Sequence, residues 1–145
     1  VATMMGSCAP TPVPMTGLPS SLSMGARSRT GITIGWTDGV ANESRFEVQR
    51  ARFTSSACQA YATVGYAGRN ATTFSDTGLT AETVYCYRVR ATSRYGGGSV
   101  TDWTAPVQFT TLPPPSPYKC DPVTYAWSTP EGGVTLNLGD DSAFR

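Results

Sequence analysis

The sequence predicts an all-β protein, built as an antiparallel sandwich of short strands. From about residue 30 to residue 111, β-branched and aromatic residues alternate with polar residues in segments of roughly four to eight. Clusters of Gly, Asp, Asn and Ser separate these segments, and no window of about 11 residues has a helical period. We therefore expect strands with one buried face each and almost no helix.

The first clear strand alternates Ile32, Ile34 and Trp36 with smaller or polar residues, so one of its faces is apolar. Further strands with the same alternation follow at residues 46–48, 62–66, 72–75 and 107–109. The predicted core consists of the inward-facing residues Leu22, Ile32, Ile34, Trp36, Phe46, Val48, Val64, Phe74, Leu79, Tyr85, Tyr87, Val89, Val107 and Phe109.

Residues 84–92 give the strongest strand signal. One face carries Tyr85, Tyr87, Val89 and Ala91, and the other carries Cys86, Arg88 and Arg90. The two arginines are then placed to face Arg45, Glu47 and Gln49 of a neighbouring strand. They are interpreted as ordinary cross-strand pairs, with a ligand-binding arginine patch as the alternative.

Composition shifts along the chain divide it into four parts. Residues 1–11 are an N-terminal extension, 12–111 the sandwich domain, 112–117 a proline-rich linker, and 118–145 a C-terminal β-strand extension or the start of a second β domain. The last part holds two strand candidates, at 123–127 and 134–138. Because 28 residues are too few for an independent core, these strands need a partner surface.

The composition argues against several classes of function. A net charge of +1 and 14% charged residues provide no field for a nucleic acid, and no apolar run is long enough for membrane insertion. There is no histidine, and the carboxylates are scattered over a small sandwich that offers no cleft. Asp140 and Asp141 are interpreted as solvated turn residues rather than a calcium site. We expect no enzyme activity, no cofactor and no metal site.

The four cysteines, Cys8, Cys58, Cys86 and Cys120, have no C-x-x-C spacing that would suggest zinc. An even number of cysteines in a small chain rich in Thr, Ser and Gly indicates disulfides and an oxidising compartment. The expected location is therefore extracellular or at the cell surface.

The middle of the chain, from about residue 10 to 111, closely resembles a fibronectin type III domain. The resemblance rests on a proline-rich lead-in before Leu22, on Ile32-Thr-Ile34-Gly-Trp36, on Phe46-Glu-Val48-Gln-Arg, and on the run from Thr73 to Ala91. It looks like the bacterial modules of secreted or surface proteins. The resemblance implies a seven-stranded antiparallel immunoglobulin-like sandwich with extended N-terminal and C-terminal segments.

The same resemblance implies two further features. Leu79 followed six positions later by Tyr85 is the family's tyrosine corner, in which the phenol bonds back to the turn. Ala81 departs from the usual proline there, which concerns only the rigidity of the turn. In this topology the third strand ends where the sixth begins, so Cys58 is expected to pair with Cys86.

A candidate binding surface consists of Arg94, Tyr95, Trp103 and Trp127, since aromatic side chains give large contact areas for a sugar ring or a partner chain. Ordinary loop packing is the alternative for these residues. The expected partners are proteins, either copies of this chain or neighbouring domains, with a polysaccharide as a further candidate.

The favoured function is a non-catalytic extracellular structural or interaction module, with a filament subunit joined head to tail as its specific form. The alternative is an accessory spacer or carbohydrate-binding module of a secreted multidomain hydrolase. For Cys8 and Cys120, a bond within one chain and a bond between copies both stay open. The residues Val134, Leu136 and Leu138 form a candidate strand-donation segment, which packs on its own sandwich, on a neighbouring copy or on a following domain.

Overall fold

The computed structural model of the chain describes residues 13–94 and 98–116, together with two strands at 124–127 and 134–137. The chain divides into two compact units, Val1–Pro114 and Pro115–Arg145. The residues described form strands, turns and extended segments and include no helix, hence none with the length and hydrophobicity of a membrane span.

The first unit is an antiparallel β-sandwich. Its strands are β1 (Ser20–Arg27), β2 (Gly31–Thr37), β3 (Arg45–Thr54), β4 (Ala57–Cys58), β5 (Ala62–Gly68), β6 (Thr73–Thr77), β7 (Val84–Thr92) and β8 (Val107–Thr110). One sheet has the order β1-β2-β6, and the five-stranded sheet has the order β4-β3-β7-β8, with β5 also paired to β3. The expected all-β sandwich is confirmed.

The sandwich has eight strands where seven are expected. The additional strand is β4, whose two residues pair with Phe53 and Thr54 across a tight turn. Ser55 and Ser56 in this turn have φ values of 52° and 69°, the left-handed conformation that such reversals require. A strand of two residues is too short to show an alternation of inward and outward side chains, so the sequence pattern does not predict it.

The core lies between the two sheets and is filled from both sides. Trp36 of β2 packs against Phe46 of β3 with ring centroids 5.4 Å apart. The inward residues of β7 are buried, as the alternation predicts. Four residues of the predicted core pack at its margin and are only partly buried: Leu22, Val64, Phe74 and Phe109. Val107 is half-buried as well.

Two predicted local features are confirmed. The Thr80 N–H donates to the Tyr85 hydroxyl at 3.0 Å, which is the tyrosine corner. Cys58 and Cys86 form a disulfide, with Cα atoms 6.0 Å apart. Because Cys86 lies on the opposite face of β7 from Tyr85, the disulfide covers the outer face of the five-stranded sheet.

The chain arrives at one end of the sandwich and leaves at the other. Thr16 and Ala41 exchange two backbone hydrogen bonds, of 3.2 and 2.8 Å. The Leu112 N–H donates to the Ser28 carbonyl, and the Leu112 carbonyl accepts the Glu82 N–H, both at 3.0 Å. Since Ala41 follows β2 and Ser28 precedes it, the two contacts are a strand length apart, roughly 20 Å. These are the N-terminal and C-terminal ends of the sandwich.

The second unit contains an antiparallel pair, β9 (Thr124–Trp127) and β10 (Val134–Asn137). The pairing places Val134 opposite Trp127 and Leu136 opposite Tyr125. The two strands correspond to the segments predicted at 123–127 and 134–138, while residues 123 and 138 themselves lie outside the described part.

Candidate interaction surface

The outer face of the five-stranded sheet carries a row of paired arginines. Arg90 of β7 lies opposite Glu47 of β3, and Arg88 lies opposite Gln49. The Arg90 Nε donates to Glu47 Oε2 at 2.8 Å, and Arg88 donates to Gln49 Oε1 from Nε and Nη2 at 3.0 and 2.7 Å. The cross-strand pairs expected for these arginines are therefore present.

Glu47 is the central acceptor of this network. It is 7% exposed, and its other oxygen accepts the Thr63 hydroxyl at 2.6 Å. Burial by itself raises the pKa of the Glu47 carboxyl, but the hydrogen bonds from Thr63 and Arg90 and the charge of Arg90 outweigh it. The pKa of Glu47 consequently lies below its usual value, and the group is ionised at neutral pH.

Two aromatic rings stack on these guanidinium groups. The Arg88 guanidinium lies 4.0 Å from the centre of the Tyr61 ring and 4.5 Å from that of Trp103. The Arg90 guanidinium also lies 4.3 Å from the centre of the Trp103 ring. The contacts form an alternating series, Tyr61, Arg88, Trp103, Arg90, in which each neighbouring pair is a cation–π contact. Burial raises the pKa of the Tyr61 phenol, and the nearby Arg88 charge opposes this shift.

Two threonine hydroxyls hold the segment that carries Trp103 against β7. Thr104 donates its N–H to the Val89 carbonyl at 2.9 Å, and its Oγ1 accepts the Val89 N–H at 3.1 Å. Thr101 makes the same two contacts with Ala91, both at 3.0 Å. Each hydroxyl thus replaces the backbone carbonyl that a regular strand would offer. The segment stays paired with β7 although its backbone is irregular.

A further cation–π pair lies toward the N-terminal end of the same sheet. The Arg45 guanidinium sits 3.8 Å from the centre of the Tyr66 ring, and Tyr66 is 49% exposed. Together these residues form one surface, which we call the arginine–aromatic face: Arg45, Tyr61, Tyr66, Arg88, Arg90 and Trp103. Such a surface is suited to recognition, because it offers aromatic planes and guanidinium N–H groups side by side.

Of the residues proposed for binding, Trp103 lies in this face, with its ring against two guanidinium groups. Arg94 is exposed, and its backbone N–H donates to the Ser44 hydroxyl at 2.9 Å. Several of the remaining predicted site residues lie outside the described part of the chain: Cys8, Tyr95, Cys120 and Leu138. Trp127, Val134 and Leu136 are described only as backbone positions of the β9–β10 pair.

Four further residues belong to the site, although the sequence pattern does not point to them: Tyr61, Tyr66, Thr101 and Thr104. The alternation of Arg88 and Arg90 is a signal for the outer face. A period of two from the inward Val64 would turn Tyr66 inward, but a register irregularity in β5 places Tyr66 opposite Glu47 on the outer face. Tyr61 precedes β5 and Thr101 lies in an irregular segment, where no period assigns a face.

A cluster of metal-binding side chains is not found in the described ranges. Within residues 13–94 and 98–116 there is no group of three or more Cys, Asp or Glu residues that could hold a metal ion. An open depression of about 390 Å³ lies at the C-terminal end, lined by Arg27, Ser28, Arg29, Thr30 and Leu112. No carboxylate lines this depression.

The fold is similar to several solved structures. The fn3 domain of the human collagen alpha-1(XX) chain superposes with a TM-score of 0.56, at 18% identity over 70% of this chain and 90% of that one. A crystal structure of titin domains superposes with a TM-score of 0.53, at 22% identity over 65% of this chain. The match covers only 31% of the titin chain. A myokine structure gives 0.52, at 17% identity over 65% of this chain and 95% of that one.

No protein-family model matches the sequence, and comparison with curated proteins gives no match. The solved structures, the two-sheet topology and the tyrosine corner nevertheless agree. The chain contains a β-sandwich with the fold of the fibronectin type III domains.

Proposed function

We propose that this chain is a non-catalytic extracellular structural and interaction module, a subunit that joins its neighbours head to tail in a cell-surface or extracellular filament. The observation that supports this most is the attachment of the chain at opposite ends of the sandwich. The Thr16–Ala41 bonds fix the arriving segment at the N-terminal end. At the C-terminal end, Leu112 bonds Ser28, and Arg29 Nε donates to the Pro113 carbonyl at 3.2 Å.

This arrangement makes the sandwich a spacer with a defined length and defined ends. Tension or contact applied through one extension is carried to the other through the body of the domain. The Cys58–Cys86 disulfide supports an oxidising location, because such bonds persist outside the reducing cytosol.

The β9–β10 pair supplies the proposed means of joining. A two-stranded sheet is marginally stable alone, and among the described strands β9 and β10 pair only with each other, so their outer edges are candidates for pairing with a further strand. We propose that the segment containing Val134, Leu136 and Leu138 adds to a sheet of a neighbouring copy. Contacts of this head-to-tail kind do not close on themselves, so they generate fibres. Cys8 and Cys120 lie in the two extensions, where a bond between copies locks the contact.

Non-reducing electrophoresis together with the native particle mass of the full chain tests this function. The expected result is a ladder of covalent oligomers that collapses to one band with reductant and is lost in Cys8→Ser and in Cys120→Ser. The Cys58→Ser/Cys86→Ser variant is the matched control, since it keeps both extension cysteines and should keep the ladder. A strictly monomeric chain with an internal Cys8–Cys120 bond would overturn the proposal.

The second candidate is an accessory spacer or carbohydrate-binding module of a secreted hydrolase. The observation that favours it is the pair of aromatic residues in the face, Trp103 and the half-exposed Tyr66. It predicts saturable binding to a polysaccharide and loss of that binding in Trp103→Ala and Tyr95→Ala. Absence of binding to a panel of neutral and acidic polysaccharides would remove it.

A further inference from the structure

We propose that the arginine–aromatic face is the docking surface for the acidic C-terminal segment, residues 138–145, of a second copy of this chain. The inference rests on the proposed head-to-tail function and names the surface that receives the tail. The occupant is a segment outside the described residues, and it carries Asp140 and Asp141 side by side.

The first support is the state of the arginines on this face. Arg45 is exposed, and no ion pair joins it to a carboxylate within the described ranges. Its guanidinium carbon lies 3.8 Å from the centre of the Tyr66 ring, and the group carries five N–H donors. A guanidinium held in this way is ready to take a carboxylate with two parallel hydrogen bonds.

The second support is the charge of the face. Three arginines belong to it, whereas Glu47, the carboxylate that lies between them on the sheet, already accepts Arg90 and Thr63. Asp102, on the segment that carries Trp103, is exposed and adds a second carboxylate at the margin. The face therefore has an excess of positive charge, and its composition of Arg, Tyr and Trp is that of strong contact residues in protein interfaces.

The third support is the opposite charge of the tail. Residues 13–116 contain nine arginines and six carboxylates, whereas residues 117–145 contain four carboxylates, one lysine and one arginine. Of these, Asp140, Asp141 and Arg145 lie within residues 138–145. Because the two sets of charges nearly cancel, the overall charge of +1 does not show this separation. The sandwich and the tail thus carry opposite net charges, and complementary potentials of this kind help to fix the register of an interface and to exclude wrong partners.

The position of Arg45 favours a second copy as the source of the tail. Arg45 begins β3 and pairs with Gly68 and Thr92, at the N-terminal end of the sandwich. The chain leaves the sandwich at the other end, where Leu112 is bonded to Ser28. A tail that continued in the direction in which the chain leaves the sandwich would approach the N-terminal end of a following copy, where Arg45 lies, as a head-to-tail assembly requires.

Charge reversal in the full chain tests this surface. Arg45→Glu and the double variant Asp140→Lys/Asp141→Lys should each weaken association, measured by sedimentation velocity, by on the order of tenfold or more. In an equimolar mixture of the two, each contact between the different variants is either the original pair or a reversed pair, whereas contacts between identical variants stay repulsive. The mixture should therefore recover association that neither variant shows alone.

The matched control is Arg52→Glu, which makes the same charge change at the other end of β3 on an exposed residue. It should associate like the parent chain, and the thermal midpoint of Arg45→Glu should fall by no more than about 5 °C, the cost of losing one exposed cation–π contact. If the parent assembles and Arg45→Glu assembles equally well, the docking surface is wrong while the filament function stands. If the mixture shows no recovery, the pairing of Arg45 with the tail is wrong. A parent that stays monomeric removes the filament function and this surface with it.

Discussion

The hydroxyl of Tyr87 donates to Oδ2 of Asp76 at 2.7 Å inside the sandwich. Asp76 belongs to β6 of the three-stranded sheet and Tyr87 to β7 of the five-stranded sheet. Arg50 of β3 completes the contact, with its Nη1 at 2.8 and 2.7 Å from the two carboxylate oxygens. A carboxylate that is 6% exposed thus joins the two sheets, and both of its oxygens have partners.

Removing this hydroxyl is expected to destabilise the sandwich. Tyr87→Phe keeps the ring but deprives the buried carboxylate of one donor, so the free energy of unfolding should fall by about 1.5 to 3 kcal/mol, as for hydrogen bonds to charged groups. Urea unfolding followed by fluorescence measures this. Tyr66→Phe, on an exposed ring, is the control and should change stability by less than about 0.5 kcal/mol.

The same contact predicts a dependence on alkaline pH. Burial, the hydrogen bond to Asp76 and the charge of Asp76 all raise the pKa of Tyr87 above its usual value of 10. The protonated phenol therefore contributes stability that is fully present below pH 10 and is lost as the pH rises above 10. Wild type should lose more stability above pH 10 than Tyr87→Phe does. Parallel losses in the two proteins would contradict this assignment.

The Cys58–Cys86 disulfide is expected to stabilise the fold chiefly by restricting the unfolded chain. With a sequence separation of 28, the chain-entropy relation gives about 3 to 4 kcal/mol for the bond. Reduction in mild denaturant, or the Cys58→Ser/Cys86→Ser double substitution, should lower the unfolding midpoint accordingly. Equal midpoints with and without reductant, with thiol titration showing complete reduction, would show that the bond contributes nothing.

Features fixed by local spacing could be predicted from the sequence. The tyrosine corner depends on Leu79 and Tyr85, six positions apart, and the two faces of β7 depend on a period of two. The Cys58–Cys86 pair follows from the order of the strands. In each case, residues close in sequence or on neighbouring strands of a known topology determine the contact.

The position of Trp103 could not be predicted in this way. Its ring lies over Arg88 and Arg90 because the hydroxyls of Thr101 and Thr104 take the place of backbone acceptors along β7. Where side-chain hydroxyls replace backbone acceptors in this way, the sequence of the segment shows no alternation of apolar and polar residues. The sequence therefore predicts a loop surface for this residue, whereas its ring contacts Arg88 and Arg90 of β7.

Gly65 of β5 is expected to tolerate no side chain. A Cβ atom at this position would lie 2.6 Å from the ring of Phe74, which packs on the strand from β6. Gly65→Ala should therefore cost about 1 to 3 kcal/mol through displacement of Phe74. Gly68→Ala in the same strand is the matched control, since nothing lies within 4 Å of its Cβ position. Thermal unfolding of both variants decides the matter, and equal midpoints would contradict the close approach.

The ionised carboxylate of Glu47 is expected to make the stability of the sandwich depend on acid pH. Hydrogen bonds from Thr63 and Arg90 hold the pKa of this carboxyl below 4.5 in spite of its burial, which acts in the opposite direction. A lowered pKa contributes stability that is present above pH 4.5 and is lost as the pH falls through the folded-state value. Glu47→Gln keeps the shape of the side chain but lacks this ionisation.

Wild type should therefore be more stable than Glu47→Gln at pH 7, and the difference should shrink as the pH falls below 4.5. Denaturant unfolding at a series of pH values between about 7 and 3 measures the difference directly. Glu82→Gln, on an exposed side chain, is the control and should stay within about 0.5 kcal/mol of wild type. A difference between wild type and Glu47→Gln that stays constant across the series would mean that the ionised carboxylate does not stabilise the arginine–aromatic face.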